Sequence, residues 1–207
     1  MLSEPPTTSR EGASLGNVYG TAVVGAIEYF EQRYGPAAAH AAIARRPAKW
    51  RAYVKPNVPA LGVLGAKKYP NGFVGDLVRA MGAAVNAKDE DAFIREIASA
   101  GLDRTLDTVA RVLLRSIASP AAVARHAPEL WRLYHDSGRL QITELGERHY
   151  LSQVSDWANH DVVMCKLGVE AGRRIVERTR VRDVEARREK CVAWGHDVCL
   201  TRVKWTP

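Results

Sequence analysis

The sequence predicts an α+β domain: a run of helices packed on a small antiparallel sheet, with β-β-α-β-β order at the C-terminus. Three observations predict it. Apolar residues recur at steps of three and four through the first two thirds of the chain. After Gly138 the period changes to alternation. One amphipathic stripe, from about Asp161 to Arg178, then separates two alternating segments.

The elements follow in chain order. Residues 1–16 are polar and proline-bearing and read as a disordered tail, with 17–207 as one domain. Val18, Ala22, Val23, Ala26, Ile27 and Phe30 share a helical face, with Asn17 as N-cap and Gly35-Pro36 as stop. A short alanine-rich helix runs from Ala37 to Arg45 and ends before Pro47. From Pro56 to Gly75, proline and glycine predict a loop with about one helical turn. Leu77, Val78, Met81 and Val85 resume helical spacing, and Asp89 to Ala100 forms another helix closed by Gly101. A further stripe joins Leu106, Val109, Ala110, Leu113 and Ile117. Ser119-Pro120 starts the next helix, a hydroxyl cap with proline at the first position, carrying Leu130, Trp131 and Tyr134 and ending at Gly138. Leu140 to Glu144 and His149 to Val154 form a hairpin. Strands near Val181–Val192 and Val198–Trp205, joined through Trp194-Gly195-His196-Asp197, close the chain.

Composition narrows the function. With 46% hydrophobic and 26% charged residues, the chain supports a core without disulfides or a structural metal. No apolar run approaches the ~20 residues of a membrane span, and the N-terminus carries no secretion signal, so a cytoplasmic location without membrane attachment is expected. The net charge of +7 invites nucleic acid. However, Arg173, Arg174, Arg178, Arg180, Arg182, Arg187, Arg188 and Lys190 are interleaved with Glu170, Glu177, Asp183, Glu185 and Glu189. That is the pattern of a solvated face, and nucleic acid is not an expected partner. Gly62, Gly65 and Lys68 lack the spacing and hydroxyl of a phosphate loop, so no nucleotide is expected. The histidines are scattered, and His135-Asp136-Ser137 and His160-Asp161 are mere neighbours in sequence. Neighbours do not face each other on a helix, so no enzyme is expected.

The cysteines are the most specific feature. Cys191 and Cys199 lie symmetrically about Gly195, so a hairpin centred there sets them opposite one another, with Cβ atoms about 5 Å apart. Cys165 sits on the preceding helix, where Gly168 and Gly172 would let the helix approach the sheet closely. Three thiols can share zinc or pack as buried apolar groups. A fourth ligand could come from His196 or Glu189.

The Gly168-x-x-x-Gly172 helix followed by Cys191, Gly195 and Cys199 resembles the 4-vinyl-reductase domain family, similar in fold to haem-based nitric-oxide sensors and to subunits of vesicle-tethering complexes. Its zinc-bearing members have cysteines at the positions of Cys165, Cys191 and Cys199, and a glutamate where this chain has Arg188, whose guanidinium cannot ligate. Tyr69-Pro70, Ser119-Pro120, Leu130-Trp131, Gly138 and the terminal pattern ending in Trp205 also resemble a paralogous family of myxobacteria. The Tyr-x-Ser-x-Arg motif that holds haem propionates in the nitric-oxide sensors is absent, so haem is not expected.

Together these imply a non-catalytic signalling domain. A small apolar ligand would sit between helix 161–178 and the sheet, lined by Leu140, Ile142, Val163, Leu167, Gly168, Gly172 and Trp205. The alternative is a protein-interaction adaptor, near small-GTPase regulation by fold analogy, with Trp194 and His196 touching the partner and a homodimer allowed.

Overall fold

The computed structural model describes residues 16–106, 117 and 119–207. The expected N-terminal tail and most of the stripe from Leu106 to Leu113 lie outside the described residues. Strand β1 (Asn17–Tyr19) precedes helix α1 (Gly20–Tyr34), and α2 (Pro36–Ala44) follows at once. Two 3-10 turns (Ala48–Tyr53 and Pro59–Gly62) lead to β2 (Lys68–Pro70), which pairs antiparallel with β1. Helices α3 (Asn71–Ala84), α4 (Glu90–Leu106) and α5 (Pro120–Tyr134) complete the helical part. The second part is β3 (Arg139–Gly146), β4 (His149–Ser155), α6 (Val162–Glu177), β5 (Arg182–Lys190) and β6 (Cys199–Thr206). Its four strands form one antiparallel sheet in the order β3-β4-β6-β5. The α+β class and the β-β-α-β-β order are those expected from the sequence.

Ser119 caps α5 as expected, its Oγ accepting from the Ala122 N–H at 3.2 Å. Three local expectations are corrected. Asn17 caps no helix: it lies on β1, where its backbone N–H and side-chain amide donate to the Asp136 carboxylate at 2.7 and 2.8 Å. That contact ties the first strand to the end of α5, a distance in sequence that local periodicity cannot see. The Pro56–Gly75 segment holds, besides the expected helical turn at Pro59–Gly62, strand β2 and the start of α3. Gly101 lies inside α4 and does not end it. A Cβ there would stand 3.3 Å from the Ala22 carbonyl oxygen and the Ala26 nitrogen, so its missing side chain lets α4 cross α1 closely.

The larger core cluster brings Ile27 and Phe30 of α1 together with Phe73, Leu77 and Met81 of α3, Ile97 of α4 and Val163 of α6. Burying a side chain such as Phe30, which is fully covered, contributes roughly 2–3 kcal/mol. A smaller cluster lies against the sheet and joins Leu130 of α5 and Val176 of α6 to Tyr150, Val184 and Val203. Helix α6 belongs to both clusters, and the candidate site lies along it.

Candidate functional site: an apolar cavity beside a cysteine–histidine cluster

Helix α6 starts on a strong cap. The Asp161 carboxylate accepts from the backbone N–H groups of Val163 and Met164 at 2.8 and 3.3 Å, satisfying two of the donors that a helix start leaves open. Arg79 of α3 clamps the same carboxylate at 3.0 and 3.1 Å. With Asp161 as the cap, His160 immediately precedes it and Cys165 occupies the fourth helical position. Side chains at those two places meet across the first turn, a pairing usually made by two apolar residues.

Here the pairing brings an imidazole to a thiol. His160 Nε2 lies 3.2 Å from Cys199 Sγ and 3.7 Å from Cys191 Sγ. The sulfurs of Cys165 and Cys199 are 3.2 Å apart, and Cys191 Sγ is 3.9 Å from each. All three cysteines are buried. Cys191 stands just beyond β5 and opens a 3-10 turn (Val192–Trp194). Its carbonyl accepts from the N–H groups of Trp194 and His196, with Gly195 taking the left-handed conformation at φ 85°. The cysteines therefore flank the turn as the symmetry about Gly195 implies, although Cys191 itself is outside the ladder.

The cluster is electrostatically asymmetric. The thiol of Cys165 donates to Cys199 and, with the His160 contact and a backbone N–H from Val192, lowers the Cys199 thiol to about 4, against the opposing effect of burial. The same hydrogen bond, and then burial, push the Cys165 thiol up. One sulfur thus holds the proton and its neighbour the negative charge. Arg188 stands beside them, its Nη1 3.9 Å from Cys191 Sγ and its Nη2 donating to the Cys165 carbonyl.

The other groups suggested as a fourth ligand are elsewhere. His196 is exposed, and its Nδ1 lies 3.1 Å from the Cys191 carbonyl oxygen rather than on the sulfurs. Glu189 turns outward to Arg202 at 2.6 Å. Trp194 is 57% exposed on the turn, an open ring available to a partner.

Next to the cluster, between α6 and the sheet, is a cavity of about 220 Å³ with almost wholly apolar walls. Leu140, Ile142, Leu167, Gly168 and Gly172 line it, and so do Cys165, Cys199 and Arg188. Val163 and Trp205 do not. Val163 is fully buried in the larger core, while Trp205 packs on Tyr150 with ring centroids 5.5 Å apart. The glycines act in the opposite way from that expected. A Cβ on Gly168 or Gly172 would meet no atom within 4 Å, so their missing side chains leave space rather than permit close packing.

One corner of the cavity is polar. His135 stacks on Trp131 with centroids 3.9 Å apart, and Trp157 stands edge-on to Trp131, to His135 and, at 5.4 Å, to His160. His135 Nδ1 and the Trp157 indole nitrogen are buried and have no hydrogen-bond partner among the described residues. Burial lowers the His135 imidazole to about 3, against a weaker opposing pull from Asp136, so the ring is neutral at ordinary pH. In the sequence His135 and His160 stand out only as neighbours of aspartates, and nothing there points to Trp157. The signal available for His160 was its place just before an aspartate cap, with a cysteine five residues on.

No family model matches the chain, and no curated protein matches it. The comparisons thus add nothing to the resemblance to 4-vinyl-reductase domains or to myxobacterial paralogues. Solved structures do match. An H-NOX protein from K. algicida in its unliganded Fe(II) form is 13% identical, with a TM-score of 0.68 over 91% of this chain and 97% of that one. An Fe(II) H-NOX protein from S. oneidensis gives 9% identity and a TM-score of 0.69 over 90% and 96%. An oxygen-binding H-NOX domain related to soluble guanylate cyclases gives 11% and 0.63 over 91% and 95%. A further match of the same fold, with a TM-score of 0.62, comes from work on haem redox potential and porphyrin distortion. The exclusion of haem made from a missing motif is therefore withdrawn. A sequence motif describes one way of holding propionates, whereas the fold that houses the macrocycle extends over nine tenths of this chain. The chain has the haem-NO-binding (H-NOX) fold.

Proposed function

We propose that the chain is a non-catalytic signalling domain that binds a compact, mostly apolar ligand in the cavity beside α6. The cavity carries this reading: its apolar walls, with the two glycines opening space in the middle of a helix, are what a ligand site requires and what packing alone would fill. The unpartnered Trp157 N–H and His135 nitrogen add a preference for a ligand that brings one hydrogen-bonding atom to that corner, since a buried donor left unmade costs ~1–3 kcal/mol. The matched H-NOX proteins, one of them an oxygen complex, support a sensing role for the fold.

Haem is a second reading, favoured by His135. A neutral buried imidazole in an apolar wall is a donor that haem iron accepts, and Arg188 is a cation that also lines the cavity. Haem would supply an iron at which a diatomic gas binds. At about 220 Å³ the cavity is just below the range of roughly 300–1,000 Å³ typical of ligand pockets, so a porphyrin requires the helices to part from the sheet, whereas a compact molecule fits as the walls stand.

The test is to purify the chain without additives, record its absorbance in the Soret region and its native mass, then add benzene as a neutral probe. Apolar cavities of comparable size take up benzene. The proposal expects a co-purified ligand or a rise in Tm with benzene, absent in Gly168→Leu. A Soret band lost in His135→Ala selects haem. A ligand-free mass with no response to benzene or haem overturns the ligand reading and leaves the protein-interaction adaptor, with the exposed Trp194 turn as its contact surface.

A further inference from the structure

The resemblance drawn from the sequence implies zinc at Cys165, Cys191 and Cys199; we infer that in this chain His160 supplies the fourth ligand of a tetrahedral site and Arg188 the balancing cation. The geometry that carries this is independent of what fills the cavity. With Zn–S near 2.3 Å and Zn–N near 2.0–2.1 Å, a regular tetrahedron requires S···S edges of about 3.8 Å and S···N edges of about 3.6 Å. The observed S···S distances are 3.2, 3.9 and 3.9 Å, and two of the three S···N distances are 3.2 and 3.7 Å. The four ligand atoms all lie within 4.8 Å of one another. Thiols without an ion between them have no reason to adopt the edges of a coordination tetrahedron. Nor would burial alone bring an imidazole nitrogen into their midst.

The elements that deliver the ligands are the stiff ones. His160 and Cys165 meet across the capped first turn of α6, which Arg79 holds from α3. Cys199 begins β6 and pairs with Val154, and Cys191 is fixed by the turn that its own carbonyl anchors. No ligand has to wait for a loop to order, so the site is assembled by the fold itself.

Charge explains Arg188. Three thiolates and a neutral imidazole around a dication carry one net negative charge, and an unpaired buried charge is costly. The guanidinium beside Cys191 and over the Cys165 carbonyl cancels it. An arginine that cannot ligate is therefore compatible with the site, because His160 has taken the vacant coordination position and left Arg188 a neutralising one. Cys165, Cys199 and Arg188 also line the cavity, so the metal centre would form its floor.

The chain as isolated is expected to carry one equivalent of zinc by elemental analysis and native mass. Exchange for Co²⁺ should give the intense visible bands of a four-coordinate thiolate site. His160→Ala should retain Co²⁺ but shift those bands as water replaces nitrogen, and Arg188→Met should weaken zinc binding roughly 10–100-fold, as loss of an outer-sphere partner does. Cys191→Ser should lose the metal. A purified chain that is metal-free and takes up no stoichiometric Co²⁺ overturns the site without any variant having to fold. Co²⁺ bands unchanged in His160→Ala overturn the assignment of the fourth ligand. Neither result depends on benzene or haem, so failure here is distinct from failure of the ligand reading.

Discussion

The two halves of helix α6 do opposite things with one backbone. Its first turn concentrates polar groups: Asp161 is satisfied by two backbone N–H groups and by Arg79, and His160 and Cys165 meet across it. One turn later the same face is bare at Gly168 and Gly172, next to empty volume. The helix is over-determined at its start and leaves space at its middle; under the proposed reading the first holds a fixed centre and the second gives a ligand room.

The comparison breaks most readily at the anchor. Asp161→Ala removes the cap and leaves Arg79 with Asp76 alone, and should cost about 2 kcal/mol in urea unfolding. Gly75→Ala attacks the same point from α3, because its new Cβ would stand 2.4 Å from the Asp161 carboxylate, and should reproduce much of the loss. A full-strength fold in both variants would show that the cap does not secure the helix start.

The polar corner of the cavity gives the next effect. The His135 ring is held near about 3, against about 6.5 in an unfolded chain, so between those values only the unfolded state binds the proton. Stability from this ring is complete above about pH 6.5 and falls as pH drops toward 3, by at most about 1.4 kcal/mol per unit. His135→Phe keeps a ring on Trp131 and should flatten that acid limb. An unchanged slope would mean that the imidazole is protonated in the folded state.

The smallest effect has the opposite sign. Gly168→Ala and Gly172→Ala should each stabilise the helix by up to about 1 kcal/mol, since the methyl meets nothing, while lowering occupancy of the cavity by benzene. Stability gained together with binding lost would sharpen the contrast between the two halves; a loss of stability would show that the space is filled by something the chain needs.

Much of this architecture could be read from spacing. The C-terminal order, the capped start of α5 and the hairpin about Gly195 follow from local signals and were found at nearly the observed limits. What spacing could not supply is what lies across the chain. The β1–β2 pair depends on residues some fifty positions apart, and Asn17 on Asp136. Glycine misleads in two ways: Gly101 reads as a helix stop but lies inside α4 and admits α1, whereas Gly168 reads as a point of close approach but meets no neighbour. Val163 and Trp205 share faces with true cavity residues, and only packing assigns them to the core. The three cysteines were legible as a group, whereas His160 was hidden because metal-ligand patterns count residues along the chain and this ligand arrives by way of a helix cap.

The glycine pair has a consequence for descent. Glycine codons are a single nucleotide change from alanine and valine codons, so the volume beside α6 can shrink in small heritable steps at positions where no neighbour objects. Under the proposed reading, change at these two positions would alter which ligand fits while leaving the anchored helix start intact.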